Sequence, residues 1–354
     1  MKAARLIVMV GLLGALALVA AGCGGGASSV TMRSGKVYYT QNKDYAKAED
    51  MFRKATAEEP ANWEAHFYLA MSLAMQEKYA EAGQSFETAY GLVPDEKSRE
   101  IVTSNQQMFF AEHFKAGLSA KDTNNLAEAV REFEKAVAVD PREASGYINL
   151  AFCYKEMGDR DKALAVVQKS VEIDSTSTNA WFNLGAAYKD VRDNDRAAEA
   201  FQKVIDLGAT DPDIKFGALA HLGDILFERK EYNKALEYYS AAAEITTEDA
   251  ALQYQIGAAY YQLGQYQEGI AGFKKCAALV KDTDPALFAD SMFNLGVCYL
   301  KVKNYDEAIG TFQTLIQIQG TAEAHEMLGA AYSEKGMTTE AIEEFKKAKE
   351  LGGK

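Results

Sequence analysis

Residues 178–211 read TNAWFNLGAAYKDVRDNDRAAEAFQKVIDLGATD. Trp181, Leu184, Gly185 and Tyr188 stand at i, i+3, i+4 and i+7, which places all four on one face of a helix. After a polar stretch, Ala197, Phe201 and Val204 predict the inward face of a second helix. A glycine or alanine lets two helix backbones approach closely, and a large ring fills the groove that the approach creates. The stretch is one helix-turn-helix repeat with an apolar seam.

Working outward from Leu184-Gly185, equivalents fall at Leu69-Ala70, Ala116-Gly117, Leu150-Ala151, Leu222-Gly223, Ile256-Gly257, Leu295-Gly296 and Leu328-Gly329, with Lys36 as a degenerate first member. From Lys36 to Gly329 the spacings are 34, 47, 34, 34, 38, 34, 39 and 33, so nine repeats share one frame. They occupy about 29–62, 63–96, 110–143, 144–177, 178–211, 216–249, 250–283, 289–321 and 322–354. The insert around Lys97 to Phe109 has no helix breaker and predicts a longer first helix in the third repeat. Pro60, Pro94 and Pro141 close the second helices of the first three repeats. Gly158, Gly264 and Gly336 stand just past a first helix, where a left-handed backbone costs little. In the last repeat Ala341, Phe345 and Ala348 face inward, while Glu340, Glu343, Glu344, Lys346, Lys347 and Lys349 clothe the outside.

These columns resemble the tetratricopeptide repeat, a unit of about 34 residues that carries an aromatic, Leu-Gly, a tyrosine, then Ala, Phe, Ala and a closing proline. The resemblance covers roughly residues 29–354. It implies an all-α fold, a right-handed α-solenoid superhelix whose concave wall is lined by the first helix of every repeat.

The first residues are of another kind. Lys2 and Arg5 precede an apolar run from Leu6 to Ala21, which has the length and flanks of a secretory signal's hydrophobic region. Val19-Ala20-Ala21-Gly22-Cys23 resembles the bacterial lipobox, although Ala20 stands where Leu is more usual. The resemblance implies that residues 1–22 are a cleaved signal peptide, that Cys23 is lipidated, and that residues 23–28 are a flexible tether. It implies a lipid-anchored protein of the bacterial cell envelope; in a host with two membranes, Gly24 after the cysteine resembles the pattern sent to the outer membrane, facing the periplasm. Cys153, Cys276 and Cys298 lack CxxC spacing and fall in small-residue columns, so packed thiols are expected rather than a disulfide or metal site.

With 38 basic and 51 acidic side chains the net charge is −13, which disfavours nucleic acid as a partner. No phosphate-binding glycine loop, no nucleophile with a partnered base and no cation-binding loop is legible, so neither an enzyme nor a cofactor is expected. His66, His113 and His325 share the Trp181 column, where packing or capping is the expected role.

Two columns of the first helix carry the functional expectation. One holds Phe67, Phe114, Phe182, Tyr254 and Phe293, read as rings on a wall away from the repeat core. Beside it stand Tyr68, Lys115, Asn149, Asn183, His221, Gln255, Asn294 and Met327. A carboxamide offers donor and acceptor, so a row of them can pair with the backbone of an extended peptide. The row at Asn149, Asn183 and Asn294 resembles the asparagine ladder of O-linked N-acetylglucosamine transferases, although such asparagines also bond neighbouring repeats. A clamp for a C-terminal carboxylate would need cations on the same wall, and Lys115, Lys155 and Lys189 read as too scattered. The leading expectation is an anchored adaptor that binds a protein or peptide partner of the envelope in its concave groove. The alternative is a structural assembly factor for an envelope, pilus or secretion complex, using its convex face or edges, where Tyr238, Tyr239 and Tyr261 could serve.

Overall fold

A computed structural model describes residues 29–352, so the signal run, Cys23 and the tether lie outside the described residues. All regular structure among the described residues is helical, in nine successive pairs. These are α1 (Val30–Val37) and α2 (Tyr45–Glu58), α3 (Trp63–Ala74) and α4 (Tyr79–Leu92), α5 (Glu96–Asp122) and α6 (Leu126–Val139). There follow α7 (Ala144–Glu156) and α8 (Arg160–Ile173), α9 (Thr178–Asp190) and α10 (Asn194–Asp206), α11 (Pro212–Glu228) and α12 (Tyr232–Ile245). The last are α13 (Ala250–Gln262) and α14 (Tyr266–Val280), α15 (Pro285–Lys301) and α16 (Tyr305–Ile318), α17 (Ala322–Glu334) and α18 (Thr338–Gly352). None of them is long and apolar enough to cross a membrane.

The helices begin where short polar side chains cap them. Asp44, Asn62, Asp159, Ser177, Asp193, Asp249 and Thr321 each accept a bond from the backbone N–H three residues on. Pro212 and Pro285 open α11 and α15, a position where the missing N–H costs nothing. In every pair the turn contains one residue with a left-handed backbone: Lys43, Glu77, Asn124, Gly158, Arg192, Lys230, Gly264, Lys303 and Gly336. From the second pair on, this residue stands seven places after the small residue of the first helix, so the period read from the sequence is kept in the backbone.

The first pair corrects the frame by one residue. Gly35, not Lys36, holds the small-residue place: a Cβ on Gly35 would lie 2.6 Å from the Phe52 ring. The surplus residue is absorbed in a π-helical turn, Tyr38–Asn42. Lys36 turns aside to Glu64, 2.7 Å away.

The chain divides into two compact units. The first comprises the described chain up to Ala120 together with Arg131–Pro141; the second comprises Lys121–Val130 and the chain from Arg142 on. The first unit packs around Met32, Phe52, Leu73, Phe86 and Val102. The insert extends α5 to 27 residues, as expected from its lack of breakers. A consequence not foreseen is that α6 lies against α4: a Cβ on Gly83 would stand 2.2 Å from the Ala138 carbonyl oxygen, and the buried Gln106 amide donates to the Val139 carbonyl at 2.9 Å.

The second unit repeats a single seam. Phe201, Tyr239, Phe273 and Phe312, all fully buried, lie over Gly185, Gly223, Gly257 and Gly296, where a Cβ would come within 2.4–2.9 Å of the ring. In the last pair Phe345 covers Gly329 but stays 41% exposed, and Glu344, expected on the outside, is buried against His325. The carboxylate is drawn in because the imidazole Nδ1 lies 2.6 Å away.

Candidate functional site

The ring column is placed differently from expectation. Phe67 packs at a steep angle against Phe86, Phe114 against Phe133, Phe182 against Phe201, Tyr254 against Phe273 and Phe293 against Phe312, with centroids 5.4–6.3 Å apart. Each partner belongs to the second helix of the same pair. Phe67 is 6% exposed and the other four are half-buried, so these rings wedge the pairs together instead of forming a free wall. Tyr68 is likewise buried, stacked on Phe52, and burial pushes its hydroxyl up to about 12. In the first unit, Lys115 remains exposed on its helix.

The amide row lies in the second unit, and its groups are half-buried. Asn149 donates to the Ser145 carbonyl at 3.0 Å and accepts from the Lys121 ammonium at 3.0 Å. Asn183 gives its amide hydrogens to the carbonyl and side-chain oxygens of Asn179, at 2.8 and 2.7 Å. Asn294 donates to the Asp290 carbonyl at 2.9 Å and to the Tyr254 hydroxyl at 3.0 Å. Their donors are thus engaged on their own or the neighbouring repeat, and in Asn183 and Asn294 the side-chain oxygen is the atom left to accept a further bond. Gln255 is half-buried on α13 in the same column.

His221 stacks on Phe182 and receives the Lys189 ammonium at Nδ1, 3.1 Å away. Beside it, burial acts to raise the Asp224 carboxyl, but His221, Lys189 and the Tyr239 hydroxyl together hold it below its ordinary value. Tyr239 donates to Asp224 at 3.1 Å; its own hydroxyl is pushed far up by burial and by that carboxylate.

Lys155 and Lys189, read from the sequence as too scattered, belong to a row whose third member, Lys121, that reading missed. Lys121, Lys155 and Lys189 stand one repeat length apart, one in each of three successive first helices, and that spacing was the available signal. Lys155 pairs with Asp190 at 3.2 Å and Lys189 with Asp224 at 3.5 Å. Lys121 lies 5.2 Å over the ring of Phe152, which is 41% exposed and was likewise missed. Lys121 meets Asn149, Lys189 meets His221, and Asn183 shares a lining with Lys155 and the exposed ring of Phe152, which links these groups into one polar face.

The remaining candidates are structural. His113 and His325 meet Glu132 and Glu344 at 2.7 and 2.6 Å. Burial opposes ionisation of both carboxyls, but Lys135 with His113, and Lys347 with His325, hold them below the ordinary range. His66 bonds the Pro60 carbonyl at 3.0 Å, as Trp181 bonds that of Ser175 at 2.9 Å. Cys153, Cys276 and Cys298 are free and buried. Tyr239 is fully buried, Tyr238 donates to Gln202 and Tyr261 packs on Tyr266, so these tyrosines are engaged within the fold. Among the described residues no group of three or more His, Cys, Asp or Glu could hold a metal ion.

Tetratricopeptide-repeat family models match residues 32–97, 120–188, 178–209, 223–264, 248–320 and 322–351. Among curated proteins, Hsp70-Hsp90 organizing protein 3 of Arabidopsis thaliana is 27% identical over 97 residues, 26% of this chain. The chain spans only 17% of that relative's length. Among solved structures, the C-terminal part of a TPR repeat-containing protein from Cytophaga hutchinsonii is 19% identical, with a TM-score of 0.55 over 67% of this chain and 95% of that one. Pseudomonas aeruginosa pilF is 16% identical, with a TM-score of 0.54 over 64% and 99%. Both are likenesses of fold. With matches to one repeat family along most of its length and nine helix pairs in register, the chain belongs to the tetratricopeptide-repeat family, whose repeats mediate protein–protein interaction.

Proposed function

We propose that this protein is a lipid-anchored envelope adaptor, which binds an extended segment of another protein along the first helices α7, α9 and α11. The observation that carries the reading is Asn183, whose amide hydrogens are given to Asn179 and whose side-chain oxygen is left open in a lining shared with Lys155 and the exposed ring of Phe152. An extended chain has backbone N–H groups to give to such acceptors whatever its sequence. Lysine ammonium groups supply donors for its carbonyls, and Phe152 supplies apolar area for one side chain.

The test is selection of displayed, short unstructured peptides on the full chain, followed by binding to the variant with Asn149, Asn183 and Asn294 all changed to Ala. The expected outcome is about a tenfold or greater loss of affinity, equivalent to one or two hydrogen bonds, with an unchanged circular dichroism spectrum. Equal binding to both proteins would sink the reading.

A further inference from the structure

The second helices carry a ring at one repeated position: Phe52, Phe86, Phe133, Phe201, Tyr239, Phe273, Phe312 and Phe345. Only α8 breaks the row, with Val167. In the neighbouring pair, Phe201 lies over Gly185 and reaches His221 of the next first helix, with centroids 4.9 Å apart. In the repeat frame the counterparts of Gly185 and His221 around Val167 are Ala151 and Asn183. The space a ring would fill there is open. A cavity of about 70 Å³ lies between α7, α8 and α9, with both Ala151 and Asn183 in its lining.

Its inner wall is apolar: Ala151, Ala163, Val167 and Ala187 are all buried. Covering this apolar wall with a hydrocarbon side chain removes it from water, which favours binding in proportion to the area covered. At its outer edge stand the exposed Phe152, Lys155 and Arg160, and Asn183, whose amide hydrogens are already given to Asn179. The cavity therefore opens onto the polar face described above.

We propose that this cavity is an anchor pocket for one branched aliphatic side chain of the bound segment, valine, leucine or isoleucine, flanked by an acidic residue; the proposal rests on the reading of the first-helix face as a peptide site. Size sets the aliphatic choice, since a void of about 150 Å³ is what holds a benzene ring, and this one is less than half as large. Charge sets the flank. Lys121, Lys155 and Arg160 gather at Phe152 and the mouth, where Asp190 is the one carboxylate in the lining, on a chain whose net charge is −13. The oxygen of Asn183 accepts the backbone N–H of the anchored residue as its side chain enters.

The probe is acetyl-Asp-Leu-Glu-amide, titrated to millimolar concentration into the full chain carrying labelled alanine and valine methyl groups, with the Gly-centred tripeptide as control. The leucine probe is expected to shift the methyl resonances of Ala151, Ala163, Val167 and Ala187, and the glycine control to leave them in place. Val167→Phe places a ring where the other repeats have one, here over Ala151 as Phe86 stands in the frame of Ala70; it should weaken the leucine probe by about tenfold or more. Val167→Ala enlarges the pocket and should move the preference from the leucine probe to its phenylalanine counterpart, so the proposal stays testable if the ring is not accommodated. No methyl shifts with the leucine probe, equal shifts with the glycine control, or an unchanged preference in Val167→Ala would overturn it. Display-selected peptides that bind Val167→Phe undiminished but fail on the triple asparagine variant would remove the pocket and leave the peptide face standing; peptides indifferent to both would remove both.

Discussion

At the scale of single residues, the turn within each helix pair imposes the same backbone on nine different positions, with φ running from 52° at Lys43 to 87° at Gly336. An L residue in this conformation is strained by about 1–2 kcal/mol, whereas glycine is not. Glycine gives part of that back through its greater freedom in the unfolded chain. Lys303→Gly is accordingly expected to stabilise the fold, and Gly264→Lys to destabilise it, each by roughly 1 kcal/mol in denaturant titrations. Shifts of the same sign would show that something other than φ governs the turn. Gly158, Gly264 and Gly336 are legible as turn residues from their type alone. The lysines, arginine, glutamate and asparagine at the other six positions are not, because only the repeat frame reveals what backbone they adopt.

Among the elements, α5 and its neighbours show how far local sequence reaches. The absence of breakers between Lys97 and Phe109 is enough to predict one long helix, because helix continuity is decided within a few residues. That α6 lies against α4 is not legible, since it depends on where the lengthened helix leaves its successor. The contact is close: Gly83 faces the backbone oxygens of Ala138 and Val139, which cannot give way as a side chain could. Gly83→Ala should destabilise the first compact unit by about 2 kcal/mol through overpacking. Gly91→Ala, on the same helix with nothing within 4 Å of the new methyl, should be neutral or stabilising by a few tenths to about 1 kcal/mol through helix propensity. Hydrogen exchange of α4 and α6 reads the difference directly; equal protection in the two variants would mean that the helices can part at no cost.

For the molecule as a whole, cohesion in a repeat protein is distributed along the chain, because each repeat packs on its neighbours. Function is then a matter of which faces remain open and where the chain is held. Each buried methylene of a lipid anchor contributes about 0.8 kcal/mol, and one chain alone binds only marginally, so stable anchoring at Cys23 takes the several chains of a lipoprotein. Seven residues, Cys23 to Ser29, separate the proposed anchor from α1 and span at most roughly 25 Å when extended. With Cys23→Ala, the protein is expected to leave the membrane fraction of a bacterial host for the soluble envelope fraction. A wild-type chain found soluble, or a variant still sedimenting with membranes, would end the anchoring proposal.

The sequence by itself determined the period, the number of repeats, the helix pairing and the small-residue seam, because these follow from spacings of one helical turn and of one repeat length along a single chain. Tertiary structure alone decided which of the side chains so placed are free to act. The ring column is closed by rings on the second helix of each pair, and the asparagine donors are taken by carbonyls one turn back or by a neighbouring tyrosine. Where one ring is missing, at Val167, a cavity opens that no periodicity in the first helices announces. Exposure is a property of what the neighbouring elements leave unfilled, and volume is counted across the fold rather than along the chain.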